Sequence, residues 1–160
     1  MTKALYPGTF DPITLGHTDL IQRALGVFDQ ITLAIAKSEA KKPIFSLEER
    51  IEMARELFAD RERVEVVSFT GLMYKFAEEV GASIVLRGVR TTTDFEYELQ
   101  LASMNRTLKR DLETVFLTPD VGLSHISSTL VREIAKFGGE VSQLVPPSVE
   151  ARLREKLGSG

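Results

Sequence analysis

At 160 residues, with 43% hydrophobic and 27% charged positions, the chain has the size and balance of a globular protein with a real core. Its net charge of −3 argues against general nucleic-acid binding, and the absence of cysteine excludes disulfides and thiol catalysis. With no apolar run of about 18 residues, no basic-then-apolar leader, and two histidines far apart (His17 and His125), neither a membrane span, a signal peptide nor a structural zinc site is expected, and the cytoplasm is the expected location.

Apolar and helical patterns alternate along the chain. Ala4-Leu5-Tyr6 reads as a first strand, and Leu20, Ile21, Ala24, Leu25 and Phe28 follow at helical spacing. Between them, residues 7–17 form a turn shaped by two prolines and two glycines, with His17 in the first turn of the helix. Ile31-Thr32-Leu33-Ala34-Ile35-Ala36 is a continuous run suited to a strand buried on both faces. Ser46 and Glu49 make a capping box for a second helix with Ile51, Ala54, Leu57 and Phe58 inward. Val64-Glu65-Val66-Val67 is a third strand, followed by a helix over about 71–80 that stops at Gly81. Ile84-Val85-Leu86 is a fourth strand. A long helix over about 93–109 carries Phe95, Leu99 and Ala102 on one face. Thr114-Val115-Phe116-Leu117 is a fifth strand. A helix then runs from the Ser127-Ser128-Thr129 stretch to near Phe137, and a last helix is capped by Ser148, with Val149, Leu153 and Leu157 on one side. The pattern predicts an α/β fold: a Rossmann-like, doubly wound, five-stranded parallel sheet with helices on both faces. No linker or repeat divides the chain, so residues 1–157 are expected to form one domain and 158–160 a flexible tail.

In such sheets, ligands bind beyond the carboxyl ends of the strands. Thr9 and His17 follow strand one, Lys41 and Lys42 strand two, Gly71-Leu72-Met73 strand three, Arg87 and Arg90 strand four, and Ser127-Ser128-Thr129 strand five. All fall on one edge, giving a basic crevice in an acidic protein, which predicts a site for a multiply phosphorylated ligand. Helix N-termini with free N–H groups suit phosphate, and His17 adds a donor there. The Gly-Lys-Ser/Thr phosphate loop, the Gly-x-Gly-x-x-Gly fingerprint and the Gly-x-Ser-x-Gly elbow are all absent. What remains positions and neutralises phosphate charge, as phosphoryl or nucleotidyl transfer requires.

Two segments carry a resemblance. Thr14-Leu15-Gly16-His17 resembles the His/Thr-x-Gly-His motif of the nucleotidylyltransferase superfamily, and Ile126-Ser127-Ser128-Thr129-Leu130-Val131-Arg132 resembles its Ile-Ser-Ser-Thr-x-x-Arg signature. Within it, the chain is similar along nearly its whole length to the bacterial phosphopantetheine adenylyltransferases. The similarity runs through residues 6–14, Lys41-Lys42-Pro43, Leu47-Glu48-Glu49-Arg50, Arg87-Gly88-Val89-Arg90, residues 94–98 and Met104-Asn105-Arg106. The resemblance implies transfer of AMP from ATP to 4′-phosphopantetheine, giving dephospho-coenzyme A and pyrophosphate. It implies that Thr9 and Phe10 contact both substrates and that His17 binds the ATP phosphates and stabilises the transition state. Lys41 would hold the acceptor phosphate, while Leu72, Met73 and Arg87 would hold the rest of the acceptor. ATP would be contacted by Gly88, Val89, Arg90, Glu98, Leu123, Ser124, His125, Ile126, Ser127, Ser128 and Thr129. It further implies Mg2+ on the phosphates, a homohexamer, and feedback by coenzyme A. Some members carry an acidic residue where this chain has Gly71, so a side-chain contact to the pantetheine arm is absent here.

The residues themselves leave simpler roles open. Phe10 suits core packing, Lys42 and Glu98 suit solvated positions, Arg132 suits a local cap, and Asp11 and Asp94 suit turn and cap roles. Two other functions also remain open at this level: transfer to a different acceptor, such as nicotinate mononucleotide or glycerol 3-phosphate, and a nucleotide-binding regulatory module without chemistry. The joint presence of His17 and Lys41 favours chemistry over the module.

Overall fold

The computed structural model describes residues 1–37 and 42–158. The strands are β1 (Lys3–Gly8), β2 (Gln30–Ala36), β3 (Val64–Phe69), β4 (Ile84–Gly88) and β5 (Glu113–Leu117). The helices are α1 (Leu15–Ala24), α2 (Leu47–Leu57), α3 (Met73–Glu79), α4 (Thr92–Leu108), α5 (Ser128–Lys136) and α6 (Pro147–Leu157), with a short 3-10 turn at Val121–Leu123. The five strands form one parallel sheet in the order β3-β2-β1-β4-β5. The expected doubly wound sheet is therefore the one observed. Its strand order reverses between β1 and β4, which places the ligand crevice at their carboxyl ends.

Alternation along each strand feeds two cores. Ala4, Tyr6, Leu33, Ile35 and Leu86 pack toward α1 and α2, together with Leu20, Ile21, Ala24 and Ala54. Leu5, Ala34 and Val85 point the other way and meet Phe69, Ala77 and Leu112. Because both faces are covered, β2 reads as an unbroken apolar run. A third cluster joins Phe45 and Met53 to Val131, Val149 and Leu153, seating α5 and α6 against α2.

Several element ends differ from the sequence reading. β1 continues through Pro7 and Gly8, which pair with Ala34 and Ile35, and β4 continues through Arg87 and Gly88. Arg87 is therefore a strand residue rather than a loop residue. Ser148 does not cap the last helix. α6 begins at Pro147 after Pro146, with no side-chain cap, because a proline at the first position needs no N–H partner and already has helical φ. The capping box at Ser46 and Glu49 is present in both directions, at 3.2 and 2.7 Å. Of the tail expected at 158–160, only Gly158 is among the described residues.

The long helix α4 departs most from an ordinary amphipathic element. Glu98 is its one buried residue. Phe95, Tyr97, Leu99, Met104 and Leu108 are all at least 40% exposed. Phe95 meets the sheet in an edge-to-face contact with Phe116, ring centroids 5.5 Å apart.

Candidate active site

A cleft of about 560 Å3 opens at the carboxyl ends of β1 and β4. It is lined from β1 and the turn after it by Gly8, Thr9, Phe10, Thr14 and His17, and from β4 by Arg87, Gly88 and Arg90. The start of α5 adds Ile126, Ser127, Ser128, Thr129 and Arg132, and the segment before α2 adds Lys42 and Pro43.

The turn between β1 and α1 is fixed by its own chemistry. Thr14 is the N-cap of α1, and the third helical residue, His17, completes a capping box in which imidazole stands where a carboxylate usually does. The Thr14 N–H donates to His17 Nδ1 at 3.0 Å, and Thr14 Oγ1 lies 3.2 Å from the same atom. A backbone donor pointing at Nδ1 requires that nitrogen to be an acceptor, so the neutral ring carries its proton on Nε2. Burial, then the charges of Arg90 and Arg87, bring the His17 pKa down to about 4. The imidazole is thus held neutral, with Nε2–H free as a donor on a residue of the cleft wall.

Phe10 supports this ring. It is buried and sits at φ 51°, a region that bulky side chains rarely occupy. In that conformation its ring meets His17 edge-on at 4.9 Å and Tyr6 at 5.2 Å. Backbone strain at a cleft residue points to a functional constraint. Gly8 is required beside it, since a Cβ there would lie 2.9 Å from the Phe10 ring. Core packing and cleft lining are therefore one role for Phe10.

Arg87 is clamped in place. Nε and Nη2 donate to Glu98 Oε2 and Oε1, both at 2.7 Å, and Nη1 donates to the Pro7 carbonyl at 2.9 Å. Burial pulls the Arg87 pKa down, but the bidentate Glu98 carboxylate more than offsets this, and the net shift is upward. Tyr6 lies beside the pair, and burial pushes its phenol pKa up. Arg90 pairs with Asp94 at 3.2 Å and donates to the Ile126 carbonyl at 3.2 Å, linking β4 to the start of α5. There, Ser127 Oγ caps the Leu130 N–H, and Ser128 Oγ donates to the Pro12 carbonyl. The N–H groups of Ser128 and Thr129 have no backbone partner among the described residues, which leaves an anion site at the helix start.

The expected site residues fall into three groups. Thr9, Phe10, His17, Arg87, Gly88, Arg90, Ile126, Ser127, Ser128 and Thr129 line the cleft together. Val89, Leu72, Met73, Leu123, Ser124 and His125 do not line it, and Leu72 is largely exposed after β3. Glu98 is absent from the lining too and is 7% exposed against Arg87, so the solvated reading of this helix residue is incorrect. Lys41 lies outside the described residues. Lys42, read as solvated, is exposed but stands on the cleft rim. Gly71 has φ 81°, where a carboxylate-bearing L-residue would be strained.

Sequence reasoning missed three contributors. Asp11 does not cap its own turn: its carboxylate accepts from the Ile44 and Phe45 N–H groups, both at 3.0 Å. Arg132 reaches back to the Asp11 carbonyl at 2.8 Å as well as to Thr129 Oγ1. Arg50, 2% exposed, donates to three backbone carbonyls. Backbone N–H and carbonyl groups recur along the whole chain, so no local pattern marks these contacts. Only the Thr14-x-x-His17 spacing, which matches a capping box, was available as a signal.

Residues 5–134 match the cytidylyltransferase-like family. The chain is 54% identical over 157 residues to the phosphopantetheine adenylyltransferase of Thiobacillus denitrificans, covering 98% of both chains. It is 52% identical over 155 residues to that of Nitratidesulfovibrio vulgaris, covering 97% of this chain and 83% of the relative. Among solved structures, a candidate nicotinate-nucleotide adenylyltransferase from Vibrio parahaemolyticus superposes with TM-score 0.67 at 18% identity, covering 96% and 99%. A lipopolysaccharide core biosynthesis protein from Thermoplasma volcanium superposes with TM-score 0.57 at 24% identity, covering 74% and 98%. At those identities the two structures speak to the fold alone.

Proposed function

The chain belongs to the cytidylyltransferase-like family and, within it, to the phosphopantetheine adenylyltransferases, and from that premise we propose that its cleft transfers AMP from ATP to 4′-phosphopantetheine by direct in-line attack. A phosphate oxygen of the acceptor forms the new bond to the α-phosphorus of ATP. The bond from that phosphorus to the bridging oxygen breaks, and pyrophosphate leaves. Because the acceptor phosphate is already an anion, no residue has to remove a proton from it.

The observation that carries this reading is the fixed tautomer of His17. With Nδ1 held as an acceptor by the Thr14 N–H and the ring kept neutral by burial, Nε2–H is a preorganised donor for the α-phosphate as charge redistributes. Arg90 and the N–H groups at the start of α5 face the same cleft and suit the ATP phosphates. Arg87, held by Glu98 and the Pro7 carbonyl, suits the acceptor, as does Lys41. Glu98 then serves the acceptor indirectly, through Arg87. Thr9, Phe10, Gly88 and the residues from Leu123 to Thr129 complete the substrate contacts in this reading, with Leu72 and Met73 along the acceptor arm.

Among the described residues, no three His, Cys, Asp or Glu side chains come together to hold a metal ion. We therefore place Mg2+ on the ATP phosphates, where it needs few protein ligands, and no step above depends on it. The exposed apolar side chains of α4 support self-association, with a homohexamer as the assembly and coenzyme A as the feedback ligand. No helix among the described residues is long and apolar enough to cross a membrane, in keeping with work in the cytoplasm.

The decisive experiment measures pyrophosphate release from ATP with 4′-phosphopantetheine, nicotinate mononucleotide or glycerol 3-phosphate in parallel. Turnover with 4′-phosphopantetheine alone is expected, and dephospho-coenzyme A plus pyrophosphate must regenerate ATP. A trapped adenylylated protein, or retention of configuration at the α-phosphorus, overturns direct transfer.

A further inference from the structure

The floor of the cleft holds one polar atom that the transfer described above does not use. Tyr6 of β1 is 6% exposed and lines the cleft. Its ring packs with Leu20, Ile21 and Leu86 and meets Phe10 edge-on at 5.2 Å. Among the described residues its phenol oxygen makes no hydrogen bond, and no enclosed side-chain oxygen or nitrogen lacks a partner. An unpaired phenol oxygen on a residue this buried therefore opens onto the cleft rather than into the core. A hydroxyl in that position takes its partner from what fills the cleft, since leaving it unpaired is costly.

Strand alternation says which substrate that is. Leu5 pairs with Val85, so Tyr6 lies opposite Leu86, and both share with Gly88 the face of the sheet that α1 covers. His17 enters from that face. Arg87, between Leu86 and Gly88, leaves from the other face toward Glu98 on α4. Gly88 keeps the phenol uncovered: a Cβ there would lie 3.1 Å from Leu20 Cδ2 and 3.9 Å from the phenol oxygen. The Tyr6 and His17 rings are 6.5 Å apart, and Phe10 packs edge-on against both. Burial pushes the phenol pKa up, Arg87 opposes the push and Glu98 adds to it, so the hydroxyl keeps its proton. The cations whose charge reaches His17 on this side are Arg90 and Arg87. A neutral O–H among guanidinium groups suits an anionic oxygen, and such charge-assisted bonds are about twice as strong as neutral ones.

We propose that Tyr6 is a substrate-binding residue whose hydroxyl donates to a non-bridging oxygen of the ATP α-phosphate, as a second neutral donor beside His17. This role rests on the reading that the cleft transfers AMP from ATP. No proton leaves Tyr6 and no covalent bond forms to it. Ring packing sets the O–H before ATP arrives, and the bond strengthens as charge redistributes during attack.

The test uses Tyr6→Phe in the full-length protein, which keeps the ring and removes only the oxygen. Because that oxygen has no partner among the described residues, the melting temperature should stay within about 2 °C of the wild type. With ATP and 4′-phosphopantetheine, kcat should fall about ten- to a hundredfold, while the ATP dissociation constant in calorimetry changes by less than about threefold. The two diastereomers of adenosine 5′-O-(1-thiotriphosphate) locate the contact, since sulfur accepts a hydrogen bond poorly. The wild type should discriminate against the one that puts sulfur on the contacted oxygen. In Tyr6→Phe that discrimination should relax by the same factor that kcat lost with ATP. An unchanged kcat, an unchanged discrimination between the diastereomers, or a loss of ATP affinity as large as the loss of rate overturns the proposal. So does a variant that fails to fold, because the hydroxyl would then serve the core. A wild type that does not turn over ATP with 4′-phosphopantetheine is a different failure: it removes the transfer reading itself, whereas an active wild type with an equally active Tyr6→Phe removes Tyr6 alone.

Discussion

In the turn between β1 and α1, the carbonyls of Thr9, Asp11 and Pro12 each receive a side-chain donor from another element: Arg50 from α2, and Arg132 and Ser128 from α5. Across the cleft, α4 buries one residue, and that residue is the carboxylate Glu98. Its apolar side chains face outward, with Tyr97 61% and Met104 58% exposed. One wall of the site is complete within the chain. The other holds Arg87 between the Pro7 carbonyl and the Glu98 carboxylate, and Glu98 stands on a helix whose outer face is open. A rigid wall suits the donor that must not move during transfer. In the proposed assembly a second chain covers the open face of α4, and the Arg87 side of the site would then depend on self-association.

The largest effect should come from the rigid wall. His17→Ala removes one preorganised donor, and kcat should fall by about a hundred- to a thousandfold, on the order of 3–4 kcal/mol. Stability should change by only about 1 kcal/mol, the usual cost of losing half a cap. ATP affinity should fall much less, because Arg90 and the α5 start remain. His17→Gln sharpens the distinction, since glutamine can accept from the Thr14 N–H. It should restore the melting temperature and leave the rate low. A near-normal kcat in either variant would refute the catalytic role.

The other wall should break differently. Glu98→Gln leaves Arg87 half-paired in a partly buried site, at a cost of about 3 kcal/mol, the lower end for a broken buried pair. The acceptor KM should rise while the ATP KM holds. Equal changes in both constants would place Glu98 at the nucleotide instead.

This contrast also separates what was legible in the sequence from what was not. The parallel sheet, the edge that carries the site and His17 could all be read, because apolar runs, turn residues and a histidine at a helix start leave local patterns; the strand order could not. The Arg87–Glu98 clamp could not, because a glutamate on a long polar helix looks solvated until β4 is placed beneath it. Leu72 and Met73 shared the same sheet edge as the other site residues, yet β3 lies two strands away from the cleft, and edge position alone says nothing of distance. Arg50 and Arg132 stand in segments that carry the resemblance, yet their reach to the β1–α1 turn left no local pattern, since they meet it through backbone carbonyls. Ser148 misled because a proline start needs no hydroxyl.

A smaller effect is expected on the outer face of α4. Leu99→Glu alters an exposed position and should shift the stability of the isolated chain by no more than about 0.5 kcal/mol. It should nonetheless shrink the particle seen in light scattering, and turnover at low protein concentration should fall with it. An unchanged mass at micromolar concentration would mean that this face is not the contact.

The smallest effect is on pH dependence, and its sign follows from the tautomer. The unfolded chain takes up a proton on His17 near its ordinary pKa of about 6.5, whereas the folded chain does so only near 4. Between those values the unfolded state binds more protons, so stability falls as pH is lowered from 6.5 toward 4, and above 6.5 this residue contributes no pH dependence. At pH 5.5 the melting temperature should drop by about 3 °C relative to pH 7.5, and His17→Gln should lose that part of the drop. The imidazole should add no loss of activity across the same range, because in the folded chain it keeps its proton on Nε2 and stays neutral, whereas the acceptor phosphate titrates at about pH 6 in any variant. A fall in activity through pH 6.5 that His17→Gln does not share would mean that the Thr14 N–H does not hold Nδ1 as an acceptor, and the rigid wall would lose the contact that defines it.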